Sequence, residues 1–343
     1  MSLPWTPRPP ANTGFTAKSS RYIAASRKAN ALISSILDRD LTGLEIMEGS
    51  GSDDQMHTGF YRHFDKTTGT GDFLKLISND EYSSQKRAAH LTDWLADNEV
   101  ATIKTDQIVC HGSYTLCISA FVSLRPPHLE VSDMECLGAA LAKLHKTLPD
   151  YPDIEQIKSG GIARLNMLAT RLDDVLDAPT NYPADASAIP QLASMLDQPF
   201  KPATRSNAVH GDLNIGNLAF DIESGSFIFL DFEDALVSWL PQETDLAMML
   251  QRTVLQQNGS IADKITCGKA LFAAYRSADG PAEIKTAEDL GNYLAWIILR
   301  SMTVLCEMHI RGEKVTISEW KKFNQLGTDL QNHTPVLEAI CNA

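Results

Sequence analysis

The hydrophobic periodicity of this chain changes once, on either side of Pro126-Pro127, and that change limits the architectures open to it. Upstream lie short apolar runs, LEIME, HTGFYRHF, DFLKLIS, QIVCHG and YTLCISAFV, separated by Gly, Ser, Asp and Thr. Runs of that length between turn formers read as strands of an antiparallel unit. Downstream, apolar residues recur at helical spacing nearly to the end. Leu137, Leu141, Leu144 and Leu148 fall on one stripe, and Ser132 with Glu135 fits a capping box opening that helix. Residues 177–204 read as a loop with one short helix, and no internal repeat is present. The expected class is therefore α+β. A Pro-rich extended arm (1–18) precedes a β-rich N-terminal lobe (19–122), led by a helix over 19–37 that carries Ile23, Leu32, Ile33, Ile36 and Leu37. A larger, mainly helical lobe spans 123–343.

The 343 residues carry 30 Lys+Arg against 43 Asp+Glu, a net charge of −13. Phosphate backbones and anionic bilayers need a basic face, so neither nucleic acid nor membrane is an expected partner. The N-terminus has no apolar leader core. Tyr293 to Cys306, the most apolar stretch, is interrupted by Arg300 and is shorter than the roughly 20 residues a bilayer requires. The six cysteines lie at 110, 117, 136, 267, 306 and 341, without a CxxC pair. That spacing suits neither structural zinc nor a dense disulfide framework; it suits reduced thiols in a cytoplasmic protein. Eight of the acids fall within residues 206–250, which contain no Lys or Arg.

The same segment concentrates the chemistry. LAF (218–220) and FIFL (227–230), joined by DIESGS, read as a β-hairpin. A hairpin places Asn217, just before the first strand, beside Asp231, just after the second, and Asp212 lies in the loop that feeds it. Two carboxylates and an amide oxygen suit Mg²⁺, a hard cation commonly shared between few protein groups and substrate phosphates. They suit zinc poorly, since only His210 could add nitrogen. One of the carboxylates could instead serve as a general base.

HGDLNIGN (210–217) resembles the catalytic loop of the aminoglycoside phosphotransferase / choline kinase superfamily, relatives of the protein kinases. LDFEDA resembles that superfamily's metal-binding Asp motif, and TDLAMM the Asp-Leu-Ala after it. LGAALAKLH resembles the helix before the loop. The resemblance implies a protein-kinase-like two-lobed fold with a small antiparallel β-rich N-lobe and a helical C-lobe, using ATP and Mg²⁺. It implies Asp212 as catalytic base, Asn217 and Asp231 as metal ligands, and Glu233 as an additional ligand. His210 and Asp245 would support the loop, and Asn214 would touch phosphate or fill the loop.

In the N-lobe, alternation puts Phe73, Lys75 and Ile77 on one face of DFLKLI, and the resemblance implies that Lys75 meets the ATP phosphates. EGSGSDDQMHTG, with Gly49, Gly51 and Ser52, would lie over those phosphates, although it lacks the third glycine of a kinase loop. One departure stands out: the helix QKRAAHLTDWL has Ala88 where kinases place the glutamate that pairs with the lysine. Glu81 and Gln85 are the nearest alternatives. The acceptor would be a small hydroxylated molecule: an amino alcohol such as choline or ethanolamine, a sugar, a homoserine-like compound or an aminoglycoside. Trp239, Tyr293, Trp296, Glu307 and His309 would suit a cationic acceptor, whereas Arg300 would suit a carboxylate or phosphate on it. The alternative is a catalytically weak, nucleotide-binding regulatory protein. No sequence feature sets the oligomeric state.

Overall fold

The computed structural model describes residues 22–47, 58–65, 70–183, 186–313 and 315–342. The expected arm at 1–18 lies outside them, as do Gly49, Gly51 and Ser52. Chain contacts divide the protein into two units, with the boundary between Pro126 and Pro127. The first also takes in Gly216–Glu233, and the second comprises Pro127–Ile215 and everything from Asp234 onward. The N-terminal unit is thus four residues longer than the expected lobe and includes the hairpin that the sequence reading assigns to the C-terminal lobe.

The N-terminal unit is built on an antiparallel sheet. Its strands are β1 (Tyr22–Ala24), β2 (Glu45–Met47), β3 (Gly59–Asp65), β4 (Thr70–Ser78), β5 (Gln107–His111) and β6 (Tyr114–Ala120), in the order β1-β2-β3-β4-β6-β5. Helix α1 (Arg27–Leu37) starts later than the periodicity suggests. Ser26 caps it by accepting from the Ala29 N–H at 3.1 Å, while Ile23 upstream pairs with Ile46 in the sheet. Strand pairing therefore takes the residues that a helix from 19 would have used. Ile33 and Ile36 of α1 pack with Leu41, Leu44, Tyr61, Leu74, Leu76 and Leu116 as the core on one sheet face. Alternation along β4 sends Lys75 to the other face, between Phe60 on β3 and Cys117 on β6. Helix α2 (Tyr82–Asp97) buries Gln85, Ala88, Leu91 and Leu95.

Strand β7 (Leu124–Arg125) explains why the hairpin belongs here. It pairs with β9 (Leu218–Asp221), which pairs in turn with β10 (Phe227–Phe229), and Phe229 also bridges Thr102 in parallel, its N–H donating to the Ala101 carbonyl at 3.2 Å. The hairpin is as the sequence predicts, with Leu218 opposite Phe229 and Phe220 opposite Phe227.

Among the described residues the C-terminal unit is helical apart from a two-stranded ribbon, β8 (Asn207–Ala208) with β11 (Trp239–Leu240). Its helices are α3 (Val131–Thr147), α4 (Ile154–Asp177), α5 (Ile189–Ser194), α6 (Glu243–Leu250), α7 (Ile261–Ser277), α8 (Ala287–Ile310), α9 (Ile317–Asp329) and α10 (Thr334–Cys341). The stripe of Leu137, Leu141, Leu144 and Leu148 is fully buried. Gly138 lets α3 cross α7 closely, since a Cβ there would stand 2.3 Å from the Leu271 carbonyl. The expected capping box at Ser132 does not form. Glu130 occupies the N-cap and Asp133 accepts from the His128 N–H at 2.8 Å, so the helix starts two residues early. Capping boxes form instead at Ser260/Asp263 and Thr286/Asp289, where an aspartate takes the place of the longer acid. Helix α8 runs for 24 residues, longer than the apolar stretch suggests, and is long and apolar enough to cross a membrane. Most of it is buried within this unit, including Arg300, as in the core helix of a globular domain.

Six free thiols are present, of which Cys110 and Cys136 are exposed. Burial pushes the Cys267 thiol up and the Cys306 thiol up to about 12. Since the thiolate is the reactive form, a disulfide-exchange titration of the native protein should label Cys110 and Cys136 first. Cys267 and Cys306 should react only on unfolding, and rapid labelling of either would contradict this packing.

Candidate active site

In the N-terminal unit the site is assembled by the hairpin and β4. The ladder continues one bond past the last strand pair, with the Leu230 N–H donating to the Asn217 carbonyl at 3.0 Å. Asn217 and Asp231 therefore flank the open end of the hairpin, as the turn composition predicts. Asp231 has φ +61°, a left-handed conformation that costs a non-glycine residue of order 1 kcal/mol or more. Lys75 Nζ lies 3.3 Å from Asp231 Oδ1 and also donates to the Glu233 carboxylate. Strand and hairpin thus bring one ammonium onto two acids.

The missing helix glutamate is accounted for by the same cluster. On α2, Ala88 is buried, Glu81 forms the N-cap, and it is Gln85 that points to the site. Its amide donates to Glu233, and the Cys117 thiol donates to its carbonyl oxygen at 3.9 Å. The acid that meets Lys75 comes from the hairpin side, and the helix contributes a neutral amide that orients it. Glu233, expected as a further metal ligand, is therefore engaged by Lys75 and Gln85. Among the described residues no group of three or more His, Cys, Asp or Glu could hold a metal alone. Asn217 and Asp231 form a sparse oxygen set of the kind that binds Mg²⁺ jointly with substrate phosphates, so the donor chemistry fits that ion.

In the C-terminal unit the loop from His210 to Ile215 is fixed from beneath. Asp245, fully buried on α6, accepts from the His210 N–H at 2.7 Å and the Gly211 N–H at 3.0 Å. His145, at the end of α3, lies 3.3 Å from the same carboxylate and 2.8 Å from the Tyr275 hydroxyl. Burial alone would raise the Asp245 pKa; His145, His210 and the Gly211 N–H outweigh it and hold the group below the usual carboxylate range. Arg300 donates to the Gly211 carbonyl at 2.6 Å and reaches Asp234 at 3.4 Å. Arg164 reaches the same Asp234 at 3.1 Å. Gly211 has φ +80°, and a Cβ there would stand 2.1 Å from Ser238 Oγ, so the turn admits glycine alone. Beyond this anchored turn, Asp212 is half-buried and accepts from the Asn214 amide at 2.9 Å. Asn214 is thus a partner of Asp212.

A profile described as the APH phosphotransferase enzyme family matches residues 66–285, well over half of the chain. The chain belongs to the APH phosphotransferase family. Comparison with curated proteins finds no match. An amicoumacin kinase solved with AMP-PNP, Ca²⁺ and amicoumacin is 14% identical, with TM-score 0.57 over 91% of this chain and 95% of that one. An aminoglycoside phosphotransferase from Streptomyces rimosus, solved with ADP and streptomycin, is 14% identical, with TM-score 0.54 over 80% and 99%. An ethanolamine kinase from Plasmodium vivax is 10% identical, with TM-score 0.51 over 83% and 80%. At these identities the likeness is one of fold: protein-kinase-like, with an antiparallel N-terminal sheet and a helical C-terminal unit.

As an APH-family member the chain is a phosphotransferase of the small-molecule-kinase type. The partners of several supporting residues carry no sequence signal. His145 closes the LGAALAKLH motif, which does not name Asp245 as its partner, and nothing in the sequence connects Arg164 to Asp234. Arg300, expected as a possible acceptor contact, is buried against the loop backbone and Asp234. Glu307 pairs with Arg171 at 2.7 Å, Trp296 donates to the Pro199 carbonyl, and His309 packs between Tyr182 and Trp320. These side chains hold the helices together rather than forming an open aromatic wall.

Proposed function

We propose that this APH-family phosphotransferase transfers the γ-phosphoryl group of ATP, with Mg²⁺, to a hydroxyl of a small acceptor. The observation that carries the reading is Lys75 on the Asp231 and Glu233 carboxylates beside Asn217, a lysine–acid–amide set suited to a metal-bound polyphosphate. Lys75 offers an ammonium to the phosphates, and its attraction to Asp231 orients both groups before nucleotide arrives. Asn217 and Asp231 would hold the metal, which when bound neutralises charge on the transferring phosphate. Asp212 accepts the proton of the acceptor hydroxyl. Asp245 and Arg300 keep its loop in place, so little reorganisation is left for the reaction itself.

Neighbours of the same fold support nucleotide and divalent-metal use, since they were solved with AMP-PNP and Ca²⁺ or with ADP. The small molecules bound in those complexes, amicoumacin, streptomycin and hygromycin B, are hydroxylated, which supports an acceptor of that class here. A coupled ADP-release screen with Mg-ATP tests the reading across hydroxylated amines, sugars, amino acids and aminoglycosides. At least one class should accelerate ADP release well above the rate with water alone. Slow ADP release that no class accelerates would overturn it.

A further inference from the structure

Among the described residues of the C-terminal unit three arginines are buried, and they are not equivalent. Arg164 and Arg300 share Asp234, and Arg300 is satisfied further by the Gly211 carbonyl. Arg252 is 6% exposed, yet among the described residues no carboxylate lies within ion-pair distance of it. Its Nη1 makes one long hydrogen bond to the Gln256 side-chain oxygen, 3.4 Å, and its Nε is buried without a partner. A guanidinium taken out of water with no carboxylate in direct contact is costly, and proteins rarely leave one in that state for packing alone.

Its position indicates what the missing partner is. Arg252 sits in the turn Gln251–Leu255, where α6 widens into π-helical geometry directly after the helix that carries Asp245. Such insertions weaken a helix locally and concentrate at functional sites. Burial pulls the Arg252 pKa down, and the acids acting back on it are Asp212 first and then Glu319. Asp212, the proposed base, is thus within Coulomb reach of Arg252. Glu319 is already taken by Lys322, which lies over the Phe323 ring at 4.3 Å, the same ring that Arg252 faces at 5.5 Å. Nη1 is turned to Gln256, which leaves the Nε–Nη2 edge, the fork that grips an oxyanion through two parallel bonds.

The acidity of residues 206–250 does not argue against an anion here. Asp231 and Glu233 face Lys75, Asp234 faces two arginines, and Asp245 faces His145 and two backbone N–H groups.

We propose that Arg252 anchors an oxyanion, a carboxylate or phosphate, on the acceptor, so that the acceptor is a hydroxylated acid. This rests on the phosphotransferase reading above and narrows its acceptor class. The test uses the full chain with Mg-ATP and acceptors matched except for charge: glycerate against glycerol, homoserine against its amide, a hexose phosphate against the hexose. The acid of at least one pair should show kcat/KM about tenfold or more above its neutral partner. Arg252→Gln should lower kcat/KM for that acid about a hundredfold, mainly through KM, and erase the difference within the pair. Arg252→Lys should restore part of it, whereas a purely structural role would affect both members alike. Inorganic phosphate, added to protein saturated with Mg-ADP, supplies a readout that needs no turnover. It should raise the Tm of the wild type and not that of Arg252→Gln. Turnover of neutral or amine acceptors equal to or above that of the acids overturns this inference and leaves the phosphotransferase reading standing, as does a phosphate shift that Arg252→Gln retains. ADP release that no acceptor accelerates overturns the phosphotransferase reading itself. If Arg252→Gln does not fold, the wild-type charge series decides alone.

Discussion

Asp212→Asn is expected to lower kcat by on the order of 10²–10⁴-fold while leaving the KM for ATP within about twofold. The substitution is nearly isosteric, and the loop that carries it is held by groups it does not touch. Asp245 binds the two backbone N–H groups just before it, and Arg300 the Gly211 carbonyl. The amide can still meet Asn214, which now lies 2.9 Å from the carboxylate, but it cannot take a proton from an acceptor hydroxyl. Lys75, Asn217 and Asp231, the proposed phosphate and metal groups, belong to other segments and are unchanged. Steady-state kinetics with the best acceptor from the ADP-release screen, together with Mg-ATP binding by calorimetry, separates the two effects. Full activity in the variant would remove Asp212 from the mechanism, and loss of nucleotide binding would assign it a positioning role instead.

Local chemistry made part of this site legible and topology concealed the rest. The hairpin could be read because DIESGS turns readily and the apolar runs flanking it are short, and from that the meeting of Asn217 with Asp231 follows. The face of Lys75 follows from strand alternation. Gln85 could not be assigned as the amide beside Glu233, because α2 and the hairpin lie well apart in sequence and no spacing rule relates them. The pairing of His145 with Asp245 spans a hundred residues and has the same character. By its charge Arg300 suits an acceptor contact, yet a buried arginine is claimed first by whatever carbonyls and carboxylates surround it, here Gly211 and Asp234. Ser132 and Glu135 have the capping spacing and so point to a later start of α3, while the actual N-cap, Glu130, makes no side-chain capping bond.

The second large effect is one of stability. Asp245→Ala should destabilise the C-terminal unit by about 3–5 kcal/mol, because it removes a buried charge and orphans its partners. Two backbone N–H groups of the loop lose their acceptor, and His145 keeps only its contact with the Tyr275 hydroxyl. Asp245→Asn is the gentler probe, since one oxygen remains to accept while the charge is gone. The two variants differ from wild type in their response to acid. The Asp245 carboxyl is held below its ordinary value of 3.8, so it binds a proton more weakly folded than unfolded. Its contribution is therefore complete above that ordinary value and is lost as pH falls through the lower, folded pKa. Denaturant midpoints measured from neutral pH into the acid range should fall steeply for the wild type below about pH 4 and less steeply for Asp245→Asn, whose group does not titrate. A variant with wild-type midpoints and an unchanged acid slope would mean that the loop is held by Arg300 and the Gly211 turn alone.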